Sequence, residues 1–166
     1  MEKILVSACL LGQRVRYRGD GFAPAERLSR WHSEGRLMLL CPEVVAGLGV
    51  PRPAAEIVGG QGRAVLEREA RVVTQAGADL TDVFIRGADA ALALCRREGI
   101  RMAVMKARSP SCGNRQSYDG SFRGVRVSGE GVAAALLQRE GIRVFNELEL
   151  ELAAEYLAQI TSDCRR

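Results

Sequence analysis

Five cysteines and one histidine set the limits of the chemistry open to this chain. The cysteines are Cys9, Cys41, Cys95, Cys112 and Cys164, with no Cys-x-x-Cys pair among them, so a thioredoxin-type redox centre is not expected. The count is odd, and the N-terminal apolar run is too short for a secretory leader before it turns polar at Ser7. Both features argue against a disulfide framework and for a cytoplasmic protein. The single imidazole, His32, lies in Arg30-Trp31-His32-Ser33-Glu34-Gly35, the end of a short polar helix, and reads as structural. Cys₂His₂ and His₃ zinc sites are therefore excluded within one chain. Proton transfer falls to carboxylates, hydroxyls, thiols or water.

Three of the thiols share a setting. Cys9 directly follows the apolar run Ile4-Leu5-Val6-Ser7-Ala8, and Cys41 directly follows Leu37-Met38-Leu39-Leu40. Cys112 stands in the loop after Met102-Ala103-Val104-Met105. If these runs are parallel strands, all three cysteines lie at the carboxyl edge of one sheet, where open α/β folds place their ligands. Each loop is dense in Gly, Pro and polar residues, so a shared site is expected. Three soft thiols without histidine suit zinc, Cu(I) or an iron–sulfur cluster, and the spacing does not choose among them. A four-iron cluster on three cysteines would leave one iron open to a substrate. Cys95 sits on the apolar stripe of a helix and reads as a packed core thiol. Cys164, close to the C-terminus, is assigned no role.

The elements that must position these residues follow from apolar periodicity. A fourth strand is expected at Ile142-Arg143-Val144-Phe145, and all four runs read as buried strands. Helices are expected over Pro24 to Glu34, Ala64 to Gln75, Leu80 to Glu98, Gly131 to Glu140 and Glu147 to Ile160. Gly99 and Gly141 each stand between a helix and a strand, and Asp79 is placed to cap the long helix. The stretch from Val50 to Gly62 is rich in Pro and Gly and reads as a long loop. Strands alternating with helices predict a single compact α/β domain over 1–166, with a mainly parallel sheet flanked by helices.

Composition adds exclusions. No apolar run approaches the length of a membrane span, and 47% apolar with 27% charged residues is ordinary for a globular protein. The positive charge is nearly all arginine, with Lys3 and Lys106 the only lysines, and the formal net charge is +4. That suits an anionic or nucleic-acid partner without demanding one. Aromatic residues are 5%, too few for a stacking platform along single-stranded nucleic acid.

Read in order, several separated motifs belong together: Ser7-Ala8-Cys9-Leu10-Leu11-Gly12, Val15-Arg16-Tyr17, Cys41-Pro42-Glu43-Val44, Gly47-Leu48-Gly49-Val50-Pro51-Arg52-Pro53, Lys106-Ala107-Arg108-Ser109-Pro110-Ser111-Cys112-Gly113 and Tyr118-Asp119-Gly120-Ser121-Phe122. They resemble the DUF523 family, which contains the thiouracil desulfidases. The resemblance spans about residues 4–147, leaving 147–166 as a C-terminal helix and tail. It implies that Cys9, Cys41 and Cys112 ligate a [4Fe–4S] cluster, which aerobic preparation is expected to strip or leave replaced by zinc. It implies acid–base or nucleophilic roles for Glu43 and Ser109. The implied reaction replaces the C=S of a thiolated uracil, as base, nucleoside or tRNA, with C=O, releasing sulfide without net redox.

The residue chemistry is compatible with those roles. Glu43 shares a loop with Cys41 and can serve a ring or a water. Ser109 has no neighbouring base to activate it, so it reads as a positioning donor or proton relay first and a nucleophile second. Lys106 and Arg108 are candidates for holding an anionic substrate, and Asn114, Tyr118 and Asp119 for reading a pyrimidine edge. No obligate protein partner and no membrane are implied. Two rival readings stand beside this one: a non-catalytic metal- or cluster-binding sensor using the same cysteines, and an RNA-binding α/β protein docking phosphates on the loop of Arg14, Arg16 and Arg18.

Overall fold

Short apolar runs bounded by polar residues form the expected strands. The computed structural model describes residues 1–163, so Cys164 lies outside the described residues. β1 (Ile4–Ser7), β2 (Leu37–Leu40), β5 (Met102–Met105) and β8 (Arg143–Asn146) make one four-stranded sheet in the order β2-β1-β5-β8. Every pairing in it is parallel, with Val6 opposite both Leu39 and Val104. The chain steps from β1 outward to β2, then returns to the other side of β1 for β5. That reversal opens a crevice at the carboxyl ends of β1 and β5, the usual ligand position in an open parallel sheet.

The pleat sorts side chains onto two cores. Ile4, Val6, Met102, Val104 and Phe145 face α1 (Glu26–Ser33) and α6 (Leu150–Asp163), against Leu28, Trp31, Leu157 and Ile160. Leu5, Ala103, Met105 and Val144 face α4 (Thr81–Glu98) and α5 (Val132–Arg139), against Phe84, Ala88, Leu136 and Leu137. Alternate residues thus serve opposite faces, as a two-residue period requires. β1 and β5 are buried throughout, whereas β2 is half-buried because it forms an edge. Cys95 is 1% exposed in the second core and is the packed thiol its helical position predicted. Asp79 accepts the Thr81 N–H at 2.9 Å through Oδ1, at the start of α4. Bonds from Thr81 hold its carboxyl below the usual range.

Two stretches differ from the sequence expectation. The helix expected over Ala64 to Gln75 is confined to α3 (Gly62–Leu66), and Arg71–Thr74 is a strand, β4. Arg68 takes a left-handed φ of 60°, which ends the helix. Val72, Val73 and Thr74 are β-branched and alternate in burial, so the period there is two, not 3.6. β4 pairs antiparallel with β3 (Ala55–Val58), inside the segment expected to be loop. A second hairpin, β6 (Gln116–Tyr118) with β7 (Arg126–Ser128), was not anticipated. Among the described residues no helix is long and apolar enough to cross a membrane.

A short helix, α2 (Pro42–Val45), carries the Glu43 side chain and rests on α4 at Gly87. A Cβ on Gly87 would stand 2.3 Å from the Pro42 carbonyl oxygen. Gly87→Ala should therefore reverse the usual helix preference for alanine. We expect a loss of about 1–3 kcal/mol through overpacking, read from urea denaturation midpoints. An unchanged or raised midpoint would refute the close approach.

Candidate functional site

Three loops leaving β1, β2 and β5 enclose a cavity of about 660 Å³, and Cys9, Cys41 and Cys112 all line it. Cys9 sits on a single 3₁₀ turn, Ala8–Leu11, whose carbonyl end is tied back when Gly12 and Phe22 donate to the Cys9 carbonyl. Cys41 directly precedes α2, with its thiol 4.0 Å from the Val15 carbonyl. Cys112 belongs to a loop folded around one hydroxyl: Ser109 Oγ accepts the N–H groups of Ser111 (3.2 Å) and Cys112 (3.1 Å). The same loop docks on the start of α5, where Val132 and Ala134 donate to the Pro110 and Ser111 carbonyls. Gly131 permits that docking, because a Cβ there would stand 2.5 Å from the Ser111 carbonyl carbon. At the floor, Ser7 Oγ accepts the Lys106 N–H at 2.9 Å and ties the end of β1 to that of β5.

The thiols are close enough to oppose one another's ionisation. Burial pushes Cys112 up to about 12, with Cys41 and Cys9 adding to the rise and hydrogen bonding with Ser111 and Ser7 opposing it. Cys9 is pushed up to about 11 by burial and then by Cys41, against Lys106 and Arg16. Burial also raises Cys41. Three such thiols become thiolates when they gain a cation, which inverts the local balance. Cys9, Cys41 and Cys112 line one cavity, and three soft thiolate donors without a histidine are a set that fits an iron–sulfur cluster.

Glu43 is gripped at both carboxylate oxygens. Arg52 Nε donates to Oε1 at 3.1 Å, and the Arg52 side chain is 7% exposed. Arg52 also donates to the Val15 and Gly49 carbonyls, so its guanidinium is immobilised. Ser111 Oγ donates to Glu43 Oε2 at 3.0 Å and lies 3.5 Å from Cys112 Sγ. Among the described residues Ser109 makes no hydrogen bond to Glu43. Its oxygen accepts two backbone N–H groups, which leaves its own proton for Ser111 Oγ at 3.1 Å. The hydroxyls thus form a directed chain from Ser109 through Ser111 to Glu43.

The remaining candidates divide. Tyr118 and Arg108 line the cavity, and Arg108, at φ 66°, also borders a smaller neighbouring cavity. Lys106 lines the cavity too, but its ammonium pairs with Glu147 at 2.7 Å, so it is not a free cation for an anionic substrate. Asn114 lies outside the main cavity and is committed elsewhere. Its amide donates to the Val144 carbonyl and to Glu149 Oε1, and its oxygen accepts from Asn146. It ties the cysteine loop to β8. Asp119 is likewise engaged, accepting from Ser121 in its turn. Arg16 pairs with Asp20 and covers Phe22, whereas Arg14 and Arg18 of the same loop are exposed. Sequence reasoning missed the parts played by Arg52, Ser111 and Glu147. Arg52 carried a readable signal, an arginine held between Pro51 and Pro53.

Comparison with known proteins is consistent across three lines. Residues 4–149 match the model of the 2-thiouracil desulfurase family. The chain is 41% identical over 147 residues to YbbK of Bacillus subtilis (strain 168), covering 89% of this chain and 97% of that one. It also resembles the structure of the [4Fe-4S]-dependent thiouracil desulfidase TudS, with a TM-score of 0.87 and 48% identity, covering 96% of this chain and 99% of that one.

The network around Asn114 yields a pH prediction. Burial works to raise Glu149, but hydrogen bonds from Arg115, Asn114 and the Asn146 N–H outweigh it and hold the carboxyl below its usual value. A depressed carboxyl stabilises the fold fully above the unfolded pKa of about 4.3 and loses that contribution as pH falls through the folded value. Glu149→Gln should cost about 1–3 kcal/mol at pH 7. The gap to the parent should narrow below about pH 4. Urea denaturation at both pH values checks this, and a pH-independent gap would refute it.

Proposed function

This chain belongs to the 2-thiouracil desulfurase family, and from that premise we propose that it replaces the C=S of a thiolated uracil with C=O. Sulfide leaves, water supplies the new oxygen, and no net redox occurs. We further propose that Cys9, Cys41 and Cys112 hold a [4Fe–4S] cluster. The observation that carries the reading is the convergence of three thiols and one clamped carboxylate on a single cavity. When bound, the cluster would supply a thiophilic Lewis acid with one open iron site, suited to thiocarbonyl sulfur.

The chain's own residues account for proton handling. Glu43 stands at the cavity wall with its orientation fixed by Arg52 and Ser111. A carboxylate so placed serves as the base toward an attacking water and returns the proton to the product. Ser111 is its direct hydrogen-bond partner, and Ser109 is one hydroxyl further along. Ser109 therefore supports the reaction as a relay and as the folding point of the cysteine loop. A nucleophilic role is less favoured, because no base contacts its hydroxyl. Arg108 at the mouth offers a positive edge to a substrate, and Tyr118 an aromatic one. The cavity of about 660 Å³ would take the cluster and a substrate ring together.

The test is anaerobic reconstitution followed by iron, sulfide and turnover analysis. Glu43→Gln should keep the iron content of the parent and lower turnover of 2-thiouracil by roughly two orders of magnitude or more. Release of sulfide and loss of the thiocarbonyl absorbance should fall together. Full turnover by this variant would sink the acid–base assignment. Absent turnover in a cluster-loaded parent would favour a sensor over an enzyme.

The ligand assignment is read separately. Cys9→Ala, Cys41→Ala and Cys112→Ala should each lose the cluster and its visible absorbance. Cys95→Ala should keep both and cost on the order of 1 kcal/mol through a small cavity. Equal cluster loss in the Cys95 variant would show the trio to be wrong.

A further inference from the structure

Of the aromatic side chains lining the main cavity, two are already occupied. The Phe22 ring carries the Arg16 guanidinium at 4.4 Å and the Lys106 ammonium at 5.2 Å. Tyr17 carries Arg16 at 5.8 Å and Arg18 at 5.4 Å, with Arg18 also bonded to its hydroxyl. Tyr118 and Phe122 differ: among the described residues neither a ring nor a cation stands against either, and Phe122 is set apart from Tyr118 by its backbone. Phe122 is half-buried and lines the cavity from the tip of the β6–β7 hairpin.

Its backbone is held in a conformation that phenylalanine disfavours. Phe122 has φ 58°, in the left-handed region. Three side-chain interactions in and beside the turn enforce it. Glu56 Oε1, on β3, accepts the N–H groups of Gly120 at 3.0 Å and of Phe122 at 3.2 Å. Asp119 Oδ1 accepts the Ser121 N–H at 2.9 Å. A bulky side chain kept in the left-handed region persists only where its surroundings over-determine it, and such positions cluster at ligand clamps. Glycine would meet the backbone requirement without strain, so the ring is the feature this position retains.

We propose that Phe122 is the platform on which the ring of a planar heteroaromatic substrate stacks, facing the wall that bears the cysteines and Glu43. The inference rests on the thiolated-pyrimidine reading and names the group that would confer preference for a flat ring over other thiocarbonyl compounds. Stacking tolerates substituents at the ring edge, so it contributes affinity for the class and leaves edge recognition to polar groups.

The test uses reconstituted holoenzyme, with 2-thiouracil as the probe in calorimetric titration and in turnover. Phe122→Leu keeps an apolar side chain and the same backbone demand but removes the aromatic face. It should weaken binding about tenfold or more, the scale of a lost base–aromatic stack. KM should rise in parallel, with iron content and thermal midpoint unchanged. Phe122→Tyr should recover most of the lost affinity. Binding by Phe122→Leu within about twofold of the parent overturns the platform. An affinity loss that tracks a lowered thermal midpoint, with no recovery in Phe122→Tyr, overturns it as well and marks a structural residue. A parent that binds 2-thiouracil without turning it over counts against the desulfidase reading alone, because the binding comparison still reads Phe122. A parent that does not bind it overturns the platform.

Discussion

Parallel pairing of β1 with β2 on one side and β5 on the other determines where everything else in the molecule stands. Because the three strands run the same way, their exits lie along one edge. Because the chain reverses its direction of progress at β1, those exits frame a crevice and not a packed seam. The loops can then differ freely in length and chemistry. One is a 3₁₀ turn, one a single helical turn, and one a loop wrapped on a serine oxygen. The two apolar cores beneath are conventional and leave this edge as the polar place in the fold.

Polar groups at that edge are closely tied to one another. Glu43 has Arg52 on one oxygen and Ser111 on the other. Lys106 has Glu147, whose second oxygen takes the Ala107 N–H. Asn114, Asn146 and Glu149 form a further set that fastens the cysteine loop to β8. A low local dielectric strengthens such networks when they are complete and makes a missing partner costly. Among the described residues no buried side-chain nitrogen or oxygen lacks a partner. A carboxylate held this way is oriented before a substrate arrives, which is how a site avoids reorganising during reaction.

Much of this was legible in the sequence, for physical reasons. Apolar runs such as Met102–Met105 sit between polar breaks, and a buried parallel strand needs little more. The meeting of Cys9, Cys41 and Cys112 followed from strand exits alone. What escaped were features set by tertiary contact. Leu66, Ala70 and Val73 read as one face of a helix over Ala64 to Gln75, while Arg68 breaks that phase at a left-handed φ. The three-residue strands Gln116–Tyr118 and Arg126–Ser128 are too short and too polar to announce themselves. Ser109 and Ser111 are chemically alike. Which of them meets Glu43 depends on how the loop turns after Arg108, a conformation that composition does not encode. Asn114 looked available because its partners lie 30 and more residues away.

The three thiols also carry a timetable. A chain emerges from the ribosome N-terminus first, so Cys9 and Cys41 are exposed long before Cys112. The Cys112 loop, moreover, is held by the N–H groups of Val132 and Ala134 and fastened to Asn146 and Glu149. Its resting shape therefore awaits residues 131–149. A group that needs all three sulfurs at once finds them assembled only after that later stretch has folded, so the order of synthesis separates the first two thiols from the third.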